Sequence, residues 1–248
     1  MNLEEYGQMS KLENTHWYFR AKRTIVKKLL ESSLDRNVPH RILDVGCGTG
    51  NILLMLREFG EAVGVDNSPV ALDFCRSREL SQLHLTLPDG RLPFDDRSFD
   101  VACAFDLLEH IDEDLEFLRD IKRVIREDGK LFLIVPAHPR LWSEHDVALH
   151  HKRRYTRKQL LQLIEEAGMV CERMTFLNSL LFPVAYLYRI VTNKLTYGNQ
   201  AKSEFFVPLP FFINWIFLKL FEMEALILPK WNLPFGLSLL AICKERQL

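Results

Sequence analysis

The chain has 248 residues, 48% of them apolar and 26% charged, a balance that suits one large α/β domain with a real core and excludes a disordered chain. A formal net charge of −1 gives no global reason to expect nucleic acid as a partner. The five cysteines (Cys47, Cys75, Cys103, Cys171 and Cys243) form no C-x-x-C pair and no metal spacing, which points to a reducing cytoplasm rather than a disulfide framework.

The opening stretch is polar and acidic and has no apolar signal core. Residues 13–34 read as a helix with a basic face and an aromatic cluster at its start. Trp17, Tyr18 and Phe19 cannot all point one way on a helix. Core packing is the default for them; a flap closing on a ligand, with Arg20 or Arg23 meeting a carboxylate, is the alternative. The apolar run RILDV is a buried strand, and ILDVGCGTGN (42–51) carries it into a glycine turn before a helix over 51–59. Strand, glycine turn and helix open a nucleotide-binding unit, with the ligand at the strand's carboxyl end and the helix amino terminus. Further strands are expected over 62–66, 83–87, 99–105, 130–135, 169–176 and 236–246. Helices are expected over 68–80, 112–128 and 156–168, with Gly129 breaking the second. Such alternation predicts a parallel sheet with helices on both faces.

After Phe176 the texture changes. Residues 177–234 are rich in Leu, Phe, Trp, Tyr and Pro, far more chain than an ordinary connection needs. The run 211–228 approaches bilayer length, but Lys219, Glu222 and Glu224 argue against a transmembrane span. A buried helical cap is the plain reading. A lid over a lipophilic substrate, or a surface resting on a membrane with Phe211, Phe212, Trp215 or Phe217 exposed, is the sharper one.

The dinucleotide fingerprint G-x-G-x-x-G is not met: Gly46 and Gly48 fit, the third position is Asn51, and Gly50 comes one residue early. The pattern LDVGCGTG instead resembles that of the class I S-adenosylmethionine-dependent methyltransferases. The resemblance continues through GVDNSP, PDG, LPFDDRSFDVACAFDLLEHI and VIREDGKLFLIVP, in order, over about residues 40–175. It implies a Rossmann-like doubly wound α/β sheet, mostly parallel with an antiparallel last strand. In domain terms it implies a single methyltransferase unit: an N-terminal helical flap (1–39), a cofactor-binding core (40–176), an apolar helical cap (177–234) and the last strand (235–248). It also implies S-adenosylmethionine as cofactor. Gly46, Cys47 and Gly48 would line its methionine part, and Asp44 would orient the loop and the ammonium. Asp66 would hold the ribose with Asn67 beside the adenine; Asp89 and Gly90 would edge the adenine; Phe105 and Asp106 would lie near the sulfonium and the amino-acid tail.

Two stretches sit nearer the chemistry. Asp106, Glu109 and His110 fall on one face of a helical turn, and such a set can bind a divalent cation. The stretch resembles the E-x-x-E-H of metal-dependent small-RNA 2′-O-methyltransferases and of ubiquinone-pathway O-methyltransferases, and a later histidine of the RNA enzymes would correspond to His151. Here the first residue is Asp, with a shorter arm, so a divalent metal is not the favoured reading; His110 facing the substrate without metal is. The loop after the fifth strand holds His145, His150 and His151, any of which can take a proton near neutral pH. His110 and His151 are the catalytic candidates. The run Lys152, Arg153, Arg154 is either a solvated turn or a binder of an acidic acceptor; Tyr155 reads as core and Thr156 as a helix cap.

These readings predict methyl transfer to a small, lipophilic or lipid-linked acceptor, at oxygen, by a cytoplasmic protein able to touch a membrane peripherally. An RNA-directed methyltransferase and a non-catalytic cofactor-binding regulator are the alternatives, and a nicotinamide oxidoreductase is the remaining rival.

Overall fold

The computed structural model describes residues 3–187 and 210–246. Seven strands form one sheet: β1 (His40–Val45), β2 (Gly60–Asp66), β3 (Leu83–Leu85), β4 (Phe99–Phe105), β5 (Ile125–Pro136), β6 (Met169–Leu177) and β7 (Ser238–Glu245). Their order is β3-β2-β1-β4-β5-β7-β6. The first five run parallel, and β7 enters antiparallel between β5 and β6. The strand order reverses between β1 and β4, the switch point at which open α/β sheets take ligands.

Period-two alternation builds a core on each face. From β4, Val101 and Cys103 face a layer made by α2 (Trp17–Ser33) and α8 (Phe211–Ile227), where Ile25, Leu29, Leu218 and Phe221 are buried. Ala102 and Ala104 face the other layer, made by α5 (Asp114–Val124) and α7 (Arg157–Glu166). In α5, Leu118, Ile121 and Val124 are buried three residues apart, on one side of the helix. Of the shorter helices, α1 (Leu3–Leu12) lies on the glycine loop, α3 (Asn51–Leu56) follows it, α4 (Pro69–Ser77) follows β2, and α6 (Glu144–Ala148) sits in the histidine loop.

Most elements fall where the sequence puts them, with three differences. The helix expected over 112–128 stops at Val124, because Ile125 is buried and pairs with Phe99 at the start of β5. The helix expected over 13–34 begins at Trp17: the His16 side chain accepts the Tyr18 N–H, and Asn214 accepts the Trp17 N–H at 2.8 Å. Within the helical flap expected over 1–39, α1 was not anticipated as a separate helix. Tyr155 is buried and Thr156 caps α7 in a reciprocal capping box with Gln159. All five cysteines are free thiols.

Of the cap expected over 177–234, residues 188–209 lie outside the described residues. What is described is tied down by Glu224, a buried carboxylate that accepts the backbone N–H groups of Asn178 (2.6 Å), Ser179 (2.9 Å) and Leu180 (3.4 Å). A charge that counts against a membrane span in the sequence is thus the clasp that ends β6. The outer side of α8 exposes Phe211, Phe212, Trp215, Ile216, Met223 and Leu226, while Phe217 turns inward against Trp17 at 5.3 Å. No helix of the described residues is long and apolar enough to cross a membrane.

Candidate active site

The glycine loop leaves β1 with Gly46, Gly48 and Gly50 all at positive φ (72°, 53° and 82°). A Cβ on Gly46 would stand 2.8 Å from the Leu107 side chain, so this turn admits only glycine. Gly46 and Cys47 donate their N–H groups to the Val65 carbonyl, locking the loop onto the end of β2. The Gly48 N–H donates to Asp66 Oδ2 at 2.9 Å, and Ser68 N–H to Oδ1 at 3.0 Å. Each carboxylate oxygen retains a further lone pair, enough to accept a ribose diol. Asp66 is buried, and burial raises its pKa.

Asp44, at the end of β1, is the clearest sign of a missing partner. Its carboxyl is buried and its Oδ2 has no hydrogen-bond partner among the described residues. Burial pushes its pKa up to about 7, with Lys22 opposing. An ammonium group would satisfy both the charge and the orphaned oxygen. Positive-φ glycines, an orphaned acid and a diol-capable acid at the switch point fit S-adenosylmethionine. Of the other expected contacts, Cys47 is buried in the loop with its Sγ 3.9 Å from Cys75. Asn67 is exposed just past Asp66. Asp89 and Gly90 lie in an exposed turn where Asp89 accepts from Arg91 at 2.9 Å; Thr86, three residues earlier, still donates its N–H to the Asp66 carbonyl.

At the end of β4, Phe105 is buried under Lys22, whose Nζ lies 5.9 Å from the ring centre. Asp106 follows at φ 53°, a strained conformation for a residue with a side chain. Its Oδ2 accepts from Lys22 Nζ at 2.6 Å and from Tyr18 Oη at 3.3 Å. Burial would raise its pKa, but Lys22 outweighs it and holds the carboxyl below its ordinary range.

Glu109 and the histidine loop make the next layer. Glu109 is fully buried, and neither carboxyl oxygen has a hydrogen-bond partner among the described residues. Burial, reinforced by Asp106, drives its pKa well up. His151 Nδ1 lies 2.9 Å from Asp146 Oδ1, and its Nε2 lies 3.8 Å from Glu109 Oε1. Asp146 is buried and also accepts from Arg154 Nε at 2.7 Å. Against the cost of burial, His151 and Arg154 hold its pKa well down. An ionised Asp146 fixes the tautomer: Nδ1 carries the proton and Nε2 presents a lone pair. His110 packs edge-on against His151, ring centres 5.0 Å apart, and burial drops its pKa to about 4.

The structure therefore separates residues that the sequence groups together. Glu109, His110 and His151 offer ligand atoms all within 4.8 Å of one another, whereas Asp106 is taken by Lys22. The basic run is spent on partners: Lys152 on Asp112, Arg153 on Asp114 at 2.8 Å, Arg154 on Asp146. This corrects the reading of it as a seat for an acidic acceptor. Asp146 and Lys22 escaped the sequence reading, and Tyr18 entered it only as core packing or part of a flap, not as a partner of Asp106. Lys22 and Asp106 are 84 positions apart and nothing local pairs them. Asp146 carried a signal, standing beside the histidines as the third residue of a capping box started by Ser143.

Over this layer lies a cavity of about 240 Å³. Its lining is mixed: Asp106, Glu109, His145, His151 and Arg154 are among its polar side chains, and Trp17, Leu181, Phe217 and Phe221 among its apolar ones. Leu181, Ala185, Phe217 and Phe221 of the apolar segment and His145 and His151 of the histidine loop both contribute to its lining.

A family model described as a methyltransferase domain matches residues 43–133. A demethylmenaquinone methyltransferase of Tropheryma whipplei is 31% identical over 170 residues, covering 67% of this chain and 66% of its own length. The ubiquinone/menaquinone biosynthesis C-methyltransferase UbiE of Citrifermentans bemidjiense is 30% identical over 132 residues, covering 49% of this chain and 54% of its own. The chain thus spans just under two thirds of the first of these relatives. A Haloferax volcanii chain solved in complex with the Trm112 methyltransferase activator superposes with a TM-score of 0.61 at 19% identity, covering 99% of this chain and 96% of that one, a likeness of fold. With the glycine loop, the orphaned Asp44 and Asp66 at the switch point of a 3-2-1-4-5-7-6 sheet, these matches establish that the chain belongs to the class I S-adenosylmethionine-dependent methyltransferases.

Proposed function

We propose that the protein transfers a methyl group to a small lipophilic or lipid-linked acceptor, at a hydroxyl oxygen, inside the cavity bounded by α2, α8 and the histidine loop. The observation that carries this reading is the cavity's mixed lining: aromatic and aliphatic side chains such as Trp17, Leu181, Phe217 and Phe221 together with the titratable groups Asp106, Glu109 and His151. S-adenosylmethionine, when bound, supplies a methyl group already activated on a sulfonium, so the protein's task is alignment, desolvation and removal of one proton. Asp44 would hold the ammonium, Asp66 the ribose, and the Gly46–Gly48 backbone the chain between them. His151 is the base: its Nε2 takes the acceptor's proton, and Asp146 stabilises the imidazolium that results. His110, neutral down to about pH 4, shapes the site beside it.

A neutral acceptor is favoured, because Lys22, Lys152, Arg153 and Arg154, cations of the described residues around the site, already pair with acids. The same fact weakens an RNA acceptor, and a histidine–aspartate dyad aimed at the cavity has no use in a non-catalytic regulator. Quinone-pathway relatives support a lipophilic ring as acceptor. One of them is named a C-methyltransferase, so a ring carbon activated by the deprotonated hydroxyl is the second reading. A bound divalent ion is less favoured, because Asp106 is held by Lys22. The exposed aromatic face of α8 supports peripheral contact with a membrane that dissolves such an acceptor. The test is incubation with methyl-labelled S-adenosylmethionine and a bacterial lipid extract. Label passing into the organic phase is expected; label confined to water-soluble products, or to added RNA, overturns the proposal.

A further inference from the structure

The helix α1 spans the cofactor groove. At its start, Glu5 Oε1 lies 3.7 Å from His150 Nε2 in the histidine loop. In its middle, Tyr6 is buried, with the Asp66 carboxylate and the Ser68 hydroxyl both acting on its phenol, and its ring lies 6.3 Å from that of Phe74. Met9 reaches over the glycine loop, its Cε 3.6 Å from where a Cβ on Gly48 would stand. Just past its end, the buried Glu13 receives the Thr49 hydroxyl of the glycine loop on one oxygen and Arg78 Nη2, at 2.5 Å, on the other. Arg78 also donates to Ser10 at 3.3 Å.

Surface helices do not ordinarily bury a carboxylate at one end and a phenol beside another acid. Thr49 belongs to the loop and Arg78 follows α4, so Glu13 keeps these two partners only while α1 lies down, with the Arg23 charge also acting on it. Lifting α1 gives up both contacts together, so they act as a latch with two states rather than as a graded contact. The roof and the floor of the groove share partners: Tyr6 stands over the acid assigned to the ribose, and Glu13 grips the loop assigned to the methionine part.

We propose that α1 is a cofactor-retaining clamp, in which Tyr6 closes over the nucleoside and the Glu13–Thr49–Arg78 latch sets how long the cofactor stays. The inference rests on the assignment of the cofactor to this groove. Entry and release then require α1 to lift, and product release becomes a step that the latch controls.

The test measures dissociation of S-adenosylhomocysteine by stopped-flow displacement, together with amide exchange, in wild type, Glu13→Ala, Glu13→Gln and Tyr6→Ala. Bound S-adenosylhomocysteine is expected to slow exchange across residues 3–12. Glu13→Ala and Tyr6→Ala are expected to speed release about tenfold or more, and Glu13→Gln, which still accepts from Thr49, by less. Circular dichroism checks that each variant is folded, and Arg78→Gln breaks the same latch from the other side should Glu13→Ala fail to fold. Release within roughly twofold of wild type in the folded variants, with exchange across 3–12 unaffected, overturns the clamp. A wild-type chain that binds no S-adenosylhomocysteine fails the cofactor assignment itself, and the clamp with it.

Discussion

Replacing Asp44 with asparagine should strengthen the fold while weakening cofactor binding. The Asp44 carboxyl titrates near pH 7 in the folded chain; an ordinary aspartate in the unfolded chain titrates near 4. Its raised pKa means that the folded state holds the proton more tightly. The stability this contributes is complete below about pH 4 and lost as pH rises through about 7. At pH 8 the ionised, buried group therefore costs the apo-protein about 4 kcal/mol relative to its acid form. Asparagine removes that charge but buries an amide whose donors must find partners, which returns about 1–3 kcal/mol. The net expectation is a gain of about 2 kcal/mol, or about 4–8 °C in Tm for a chain of this size. The same change removes the acceptor for the ammonium and should weaken S-adenosylhomocysteine binding by about 1.5–3 kcal/mol, roughly 10–150-fold. In wild type, affinity should fall as pH drops below about 7, approaching tenfold per pH unit, because only the ionised carboxylate pairs with the ammonium. Thermal melts at pH 5 and 8, with calorimetric titration at each, read all three effects. An Asp44→Asn variant that melts lower at pH 8 yet binds as tightly as wild type would refute the reasoning.

Four further outcomes follow from the site. Asp66→Ala should weaken S-adenosylhomocysteine binding by about 1.5–3 kcal/mol, by the same loss of charge-assisted hydrogen bonds; unchanged affinity would remove Asp66 from the ribose site. His151→Ala should lower kcat about 10²–10⁴-fold at saturating cofactor, and Asp146→Asn should act in the same direction by releasing the Nδ1 tautomer; a His151 variant with full kcat would dismiss it as the base. Excess chelator should leave turnover unchanged, and loss of activity restored by a divalent ion would move Glu109, His110 and His151 into a metal site. Glu224→Ala should cost about 3 kcal/mol or more in denaturant unfolding, because three backbone N–H groups lose their acceptor; a loss below about 1 kcal/mol would mean the clasp is dispensable.

Much of this was legible in the chain. The glycine loop is local: a turn that needs positive φ must be written in glycine. Alternation of strand and helix put Asp44 and Asp66 at strand ends, while their roles came only from the resemblance of the motifs to the methyltransferase pattern. The change of texture after Phe176 was legible in composition; within it, the described helix α8 buries Leu218 and Phe221 against α2. What was not legible depends on separation. Lys22 meets Asp106, and Glu13 meets Thr49 and Arg78, only because the sheet brings together segments many positions apart. The orphaned state of Glu109 is likewise a property of its surroundings, not of the stretch DLLEH. The basic run stayed ambiguous in sequence because charge there does not say whether an acid stands opposite; Asp112, Asp114 and Asp146 do. Glu224 counted correctly against a membrane span, but its burial was not legible: it is a charge in an apolar helix held by three backbone N–H groups of the Asn178–Leu180 segment.

The most direct test of the account is a crystal structure with S-adenosylhomocysteine bound. It should place the ammonium on Asp44 Oδ2, the ribose hydroxyls on Asp66, and the sulfur facing the cavity lined by Glu109 and His151 together with Trp17, Phe217 and Phe221. A nucleoside bound outside the groove between the glycine loop and Asp66, or a sulfur turned away from that cavity, would contradict it.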